Sequence, residues 1–424
     1  MLQRIKKISK GDFVRNSSLV FIVNNVNNVF NYVLIVIAIF YLKNDFGLWT
    51  STTGFLAILS VPTSSFMSIL TRKVSELAKT EPDKVYSYYI NVFRFVRHSL
   101  VWVILGSIII IFAMFWTLQL SNFFIPIVAI LAVFTTFLYS INQNFLLGIL
   151  EIPKYCWGNI INLVVKFIST TAFLILGLGV NTLPVGILLA SIASYSLSLY
   201  FINSIYKTKE IKSKVQEFNA KEILQDGSDT WKAMIYFIIL AIFLNIDIVL
   251  SRSLLTNEQN NQYGIISTFG QIAHFGPVSF SALVVPYASR DGHKNIFKIS
   301  IIAVIILSLL VTVLFTFGGE LVLKTFGKSN YLTLLPLITI YSIFVLCYNL
   351  IFISINYLIS RANFTFIKPI VLAIICYLIL LFLAGSNPWS TKEQQLDLMV
   401  YAGVLCSSVT SIFLVTRIFK LNSS

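Results

Sequence analysis

The chain has 424 residues, of which 57% are hydrophobic and only 11% charged, and it carries a formal net charge of +14. Soluble domains hold about a quarter charged residues, so a water-soluble enzyme or binding module is excluded. A nucleic-acid partner is excluded as well, because the basic residues gather in the loops on one side of a membrane and not in a single patch.

Apolar runs of membrane-spanning length recur from end to end. They predict twelve spans, at 17–42, 52–71, 99–119, 123–149, 159–180, 183–204, 232–256, 264–287, 297–318, 331–357, 365–385 and 397–416. Each is about 20 residues or longer, enough to cross a hydrocarbon core of about 30 Å. A β-barrel is excluded, since its strands alternate and run to about 10 residues. The first run follows Arg4, Lys6, Lys7, Lys10 and Arg15 without a small-residue cleavage site, which reads as an uncleaved start signal.

An even number of spans puts both termini on one side. With that side cytoplasmic, 25 Lys and Arg fall in cytoplasmic segments and four (Lys43, Lys324, Lys328, Lys392) in outer loops. Two, Lys166 and Arg252, lie inside spans. The bias predicts cytoplasmic termini and accounts for the basic balance as topology. The polar stretch 205–231 reads as a cytoplasmic linker between an N-terminal lobe, 1–204 with helices 1–6, and a C-terminal lobe, 232–424 with helices 7–12. Cys156, Cys347, Cys376 and Cys406 show no metal spacing, and His98, His274 and His293 are scattered, so no metal or cofactor is expected.

The two halves repeat. A shift of 217 residues lays Phe46-Gly-Leu-Trp-Thr-Ser-Thr on Tyr263-Gly-Ile-Ile-Ser-Thr-Phe and Asn28 on Asn245. The fourth and tenth spans correspond at a shift of about 210, each with an early proline, Pro126 and Pro336. Six spans per half give both halves the same orientation. This predicts an all-α polytopic fold of two six-helix lobes related by a pseudo-twofold axis along the membrane normal, with a site at their interface.

Leu254-Leu-Thr-Asn-Glu-Gln-Asn-Asn-Gln-Tyr-Gly264, a helix ending in Val285-Pro-Tyr-Ala-Ser-Arg290, the aspartate of the preceding helix, and Gly327-Lys-Ser-Asn-Tyr331 before Leu335-Pro-Leu337 resemble the multidrug/oligosaccharidyl-lipid/polysaccharide (MOP) exporter superfamily. Within it, twelve spans and a basic N-terminal tail look most like a Wzx-type O-antigen flippase. The lipid II flippases resemble the chain less, since they carry two further C-terminal helices. The resemblance implies a bacterial inner-membrane protein that is not an enzyme. It implies alternating access that carries an undecaprenyl-pyrophosphate-linked oligosaccharide outward. Membrane lipids, a coupling H+ or Na+ and glycan polymerase machinery would be its partners. A cation-coupled multidrug antiporter of the same fold is the first alternative. A membrane-embedded glycan polymerase is the second, although no outer loop is long enough to carry its chemistry.

Passing sugars and a pyrophosphate through hydrocarbon requires a polar lining, because each unsatisfied polar group in lipid costs several kcal/mol. Asn24, Asn27, Asn28 and Asn31 form one stripe on the first span, suited to sugar hydroxyls or to helix–helix hydrogen bonds. Asp247 lies mid-span in the seventh helix beside Asn245. It either binds sugar hydroxyls, exchanges a proton or pairs with a cation. Arg252 points to another face, for substrate or for snorkelling to the interface. Lys166, near the midplane of the fifth span, is a pyrophosphate or sugar-acid contact. Gln271 and His274 are further lining candidates, His274 equally a packing residue, as are Asn142 and Asn144. Arg72, Lys73 and Arg290 end two repeat-related helices at the cytoplasmic mouth, as pyrophosphate captors or plain positive-inside anchors. Pro62, Pro126, Pro277 and Pro336 interrupt spans where bending would help transport. No Walker-type phosphate loop occurs, so ATP hydrolysis is not expected to drive the cycle.

Overall fold

The computed structural model describes residues 10–206, 227–274, 294–325, 329–361, 363–388 and 390–423. Arg290, Pro277, most of the predicted linker and the second half of the eighth predicted span lie outside these residues. The described residues form twelve α-helices: α1 Lys10–Leu42, α2 Phe46–Thr80, α3 Val85–Thr117, α4 Phe124–Gly148, α5 Ile152–Ile175, α6 Thr182–Ile205, α7 Gly227–Leu254, α8 Asn257–Gly270, α9 Lys294–Thr325, α10 Leu335–Ser360, α11 Ile367–Gly385 and α12 Lys392–Ser423. Ten helices among the described residues are long and apolar enough to cross a membrane. The fold is that of an all-helical multi-pass membrane protein.

Lipid is the solvent this surface requires. Along α3 and α9, Trp102 is 76% exposed and Phe317 85% exposed, within long runs of exposed Val, Ile and Leu. Apolar surface on this scale does not stay in water. The helices also run past the predicted spans. α2 continues beyond residue 71 through Glu76 and Lys79, and α3 begins at Val85, well before residue 99. Hydropathy marks the bilayer segment, whereas the backbone ladder continues through polar residues. α5 is displaced toward the N-terminus of its predicted span. Pro153 sits in its first turn, and Gly177 and Gly179 take φ of 79° and 60° just beyond its end.

The chain divides into two compact units. The first comprises 1–42, 62–116 and 120–230, and the second 43–61, 117–119 and 231–424. In the first, α4, α5 and α6 pack together and α1 lies against α5. A cluster of Tyr86, Tyr89, Val92, Ile141, Phe145 and Ile202 fills the core between α3, α4 and α6. Buried polar pairs bridge the same helices. Tyr89 Oη donates to Asn142 Oδ1 at 2.8 Å, Asn142 Nδ2 donates to Ser198 Oγ at 3.1 Å, and Thr135 and Ser191 share a bond of 2.6 Å. Asn144 is tied to Thr71 at 3.0 Å. In the second unit α10 packs on α8, α9 and α12, and α11 packs on α12.

Two short segments belong to the second unit for identifiable reasons. The Gly47 amide donates to Asn261 Oδ1 at 2.6 Å, and Ser51 Oγ lies 2.8 Å from the Ile248 carbonyl. Asn260 Oδ1 accepts from Ser251 at 2.9 Å and lies 3.2 Å from Ser51. The backbones meet closely here. A Cβ on Gly264 would stand 2.6 Å from Thr50 Oγ1 and 3.3 Å from Gly47 Cα, and one on Gly47 would strike the Asn260 backbone at 2.5 Å. Gly47 and Gly264 are superposed by the 217-residue shift. The segment 117–119 is held by Arg252, whose Nε donates to the Leu118 carbonyl at 3.1 Å, and by Gln119, whose Nε2 donates to the Ser253 carbonyl at 3.2 Å.

The crossing of α2 and α8 therefore tolerates no side chain at either glycine. Gly47→Ala is expected to destabilise the protein by about 1–3 kcal/mol through overpacking. Thermal unfolding of the purified chain in detergent checks this, with Gly106→Ala as the silent control, since a Cβ at Gly106 meets nothing within 4 Å.

Candidate functional site

The sequence-predicted residues separate into an open set in the first unit and an enclosed set in the second. On α1, Asn24 and Asn28 are exposed and Asn27 and Asn31 half-buried, with Asn31 Nδ2 3.4 Å from Asn27 Oδ1. Four carboxamides at helical spacing share one stripe, and most of it remains accessible. α5 lies against α1, joined by the edge-to-face pair Phe30–Phe167 at 5.2 Å. Lys166, next to Phe167, is half-buried in the interior of α5, roughly 13 Å along the axis from Ile175. No carboxylate pairs with it among the described residues. This part of the first unit presents amide donors and acceptors and one unpaired ammonium within the membrane-spanning region.

In the second unit the charge is opposite and sealed. Asp247 is 0% exposed. Its Oδ2 accepts hydrogen bonds from Tyr263 Oη at 2.8 Å and Tyr341 Oη at 2.9 Å. The two phenol rings stand edge to face at 6.1 Å. One turn before Asp247, Phe243 stacks on Tyr377 at 4.9 Å and on Phe344 at 6.3 Å. The carboxyl is thus boxed by aromatic rings from α8, α10 and α11. Two polar atoms in this box, Asp247 Oδ1 and Tyr377 Oη, are buried without a hydrogen-bond partner among the described residues. Such an arrangement holds a carboxyl away from water while leaving one oxygen to take a proton or a small cation.

Asn245 and Gln271 flank this box. Both are half-buried, Asn245 Nδ2 donating to the Ala241 carbonyl at 2.9 Å and Gln271 Nε2 reaching the Leu244 carbonyl at 3.4 Å. His274 belongs to a separate network. Asn349 Nδ2 donates to the Ala273 carbonyl at 2.9 Å and to Ser308 Oγ at 3.0 Å, so its oxygen is the acceptor for His274 Nδ1 at 2.5 Å. That places the ring proton on Nδ1 when the imidazole is neutral. Arg252 is occupied at its end of α7: beyond Leu118, its Nη1 donates to Asn257 Oδ1 at 2.5 Å. Arg72 is exposed, and Lys73 forms an exposed ion pair with Glu76 at 3.3 Å.

Sequence reasoning missed the two tyrosines that hold Asp247. Tyr263 opens the repeated motif, but nothing in one sequence pairs it with residue 247, and Tyr341 lies 94 positions away from its acceptor.

No family model matches the sequence, and no curated protein matches it. Solved structures do. An inward-facing multidrug-resistance MATE transporter of the MOP superfamily matches at TM-score 0.59 and 14% identity, over 91% of this chain and 96% of that one. The lipid II flippase MurJ, in an inward closed conformation, matches at TM-score 0.60 and 15% identity, over 94% and 90%. The eukaryotic MATE transporter AtDTX14 matches at TM-score 0.57 and 13% identity, over 97% and 98%. The chain has the fold these transporters share.

Because both phenols donate to one oxygen of Asp247, their contributions are coupled. Tyr263→Phe and Tyr341→Phe are each expected to cost about 1–3 kcal/mol, the range for a buried acceptor losing a partner. The double variant should depart from the sum of the two. Thermal unfolding of the three variants in detergent checks both statements.

Proposed function

We propose that the chain is a flippase that moves an undecaprenyl-pyrophosphate-linked oligosaccharide, an O-antigen or capsular repeat unit, from the cytoplasmic to the outer leaflet of the bacterial inner membrane. The observation that carries this reading is Lys166, a half-buried ammonium with no carboxylate partner among the described residues, on a helix that packs against α1, the helix carrying the asparagine stripe. An unpaired cation in hydrocarbon is costly, so it is retained where it meets an anion. The carboxamides suit hydroxyl-rich sugars, which both donate and accept. The match to a lipid II flippase supports the transport class.

An anion moving outward runs with an inside-negative potential. Each charge gains about 2.3 kcal/mol per 100 mV, so a doubly charged pyrophosphate gains roughly 4.6. Asp247 adds a second drive by exchanging a proton in its aromatic box. The MATE matches favour a second reading, cation-coupled multidrug antiport. A drug cation would select an accessible acid, whereas the acid here is enclosed and the accessible charge is basic.

Deletion of the chain is expected to leave lipid-linked repeat units on the cytoplasmic leaflet, measured by their protection from an added outer-face glycosidase. Loss of drug resistance with intact surface glycan would instead establish the antiporter. Lys166→Ala should slow flipping by about tenfold or more, the loss for one charge-assisted hydrogen bond, with Lys166→Arg restoring part of it. Asp247→Asn should abolish the dependence of flipping on a pH gradient in vesicles and leave its dependence on voltage. An unchanged response to the gradient would remove Asp247 from the coupling step.

A further inference from the structure

The end of the second unit formed by α11 and α12 holds a cavity of about 420 Å³ that has no part in the site above. Its walls are of two kinds. Phe366, Pro369 and Phe413 make an apolar side, and Arg417 and Lys420 make a cationic one. No acidic side chain lines it among the described residues.

The cavity is built, not incidental. Asn363 Oδ1 accepts from the Thr365 amide at 3.1 Å and from Thr365 Oγ1 at 2.7 Å, which fixes the turn leading into α11. Phe366 meets Phe413 edge to face at 6.4 Å, joining that turn to α12. The Arg417 guanidinium lies 5.7 Å over the Phe413 ring, so the cation is held against an aromatic face. Arg417 and Lys420 close the apolar run of α12, the position where basic side chains meet a membrane–water boundary.

The surface beyond the cavity is also informative. From Phe413 the stripe continues one turn back to Val409, 64% exposed, and from Pro369 along α11 to Leu372, 61% exposed. α11 and α12 pack on each other. The apolar stripes therefore extend from the cationic cavity along the lipid-facing side of both helices. A volume of this size holds a headgroup, and the stripes below it match acyl chains.

We propose that this cavity binds the phosphate of an anionic phospholipid, with Arg417 and Lys420 on the phosphate, Phe366 and Phe413 on the glycerol region, and the acyl chains along α11 and α12. Free phosphate shares the headgroup chemistry but leaves the apolar stripes unused, so the lipid is the occupant the surface favours.

Native mass spectrometry of the full-length protein in detergent, with phosphatidylglycerol, phosphatidylcholine or inorganic phosphate added, tests the assignment. The Arg417→Gln/Lys420→Gln variant should bind phosphatidylglycerol about thirtyfold more weakly, the loss for two interfacial cations. A Lys154→Gln/Lys324→Gln variant removes the same charge elsewhere and should bind it as the parent does. Phosphatidylcholine should bind weakly to all three. Equal losses in both double variants would reduce the effect to net charge and overturn the site. Unchanged binding in the first variant would do the same. Displacement of the lipid by an equal concentration of inorganic phosphate would make the cavity an anion site and overturn the lipid assignment.

Discussion

Every polar side chain carried into hydrocarbon must either be satisfied by a neighbour or face something polar that enters from outside. That constraint sorts the buried chemistry of this chain. Asn142 is bonded to Tyr89 and Ser198, and Asn349 to Ala273, Ser308 and His274. These amides hold helices together and need no further partner. The α1 stripe and Lys166 are different: they sit in spanning helices and stay accessible. The state of its hydrogen bonds, not its residue type, is what separates a candidate for the proposed transport role from structural glue.

The same test explains how much was readable beforehand. Ten helices among the described residues are legible from apolar runs, because hydrocarbon thickness imposes a length that composition records directly. Their ends did not follow. α2 and α3 continue through polar turns that no hydropathy window includes, and α5 is set by Pro153 and by two left-handed glycines. The asparagine stripe was legible because its spacing lies within a single helix. The surroundings of Asp247 were not, since residues 263, 341, 344 and 377 come from three other helices to join Phe243. For Arg252 the sequence left substrate contact and snorkelling open, and its donors meet Leu118 and Asn257, a loop and a helix start brought to it by the fold.

The repeat separates architecture from chemistry. Gly47 and Gly264 retain the close crossing that backbones require, and neither position admits a Cβ. Of the asparagines in the stripe only Asn28 has its like in the other half, at Asn245. Shifting Asn24, Asn27, Asn28 and Asn31 by 217 positions gives Ala241, Leu244, Asn245 and Ile248. Lys166 falls on Leu383, and Asp247 corresponds to Phe30. One copy thus kept an open face of amides and a cation, and the other an acid enclosed by phenols.

That divergence bears on the proposed function. Two copies with the same residues would offer a substrate the same chemistry twice, which suits a small symmetric ion better than a headgroup with distinct sugar and phosphate ends. On that reading, a half-buried ammonium on α5 and the carboxamides of α1, the helix it packs against, supply both kinds of contact. The acid contributes differently. Enclosed by Tyr263, Tyr341 and Phe243, it adds no negative charge to the face that the proposed anionic substrate would approach.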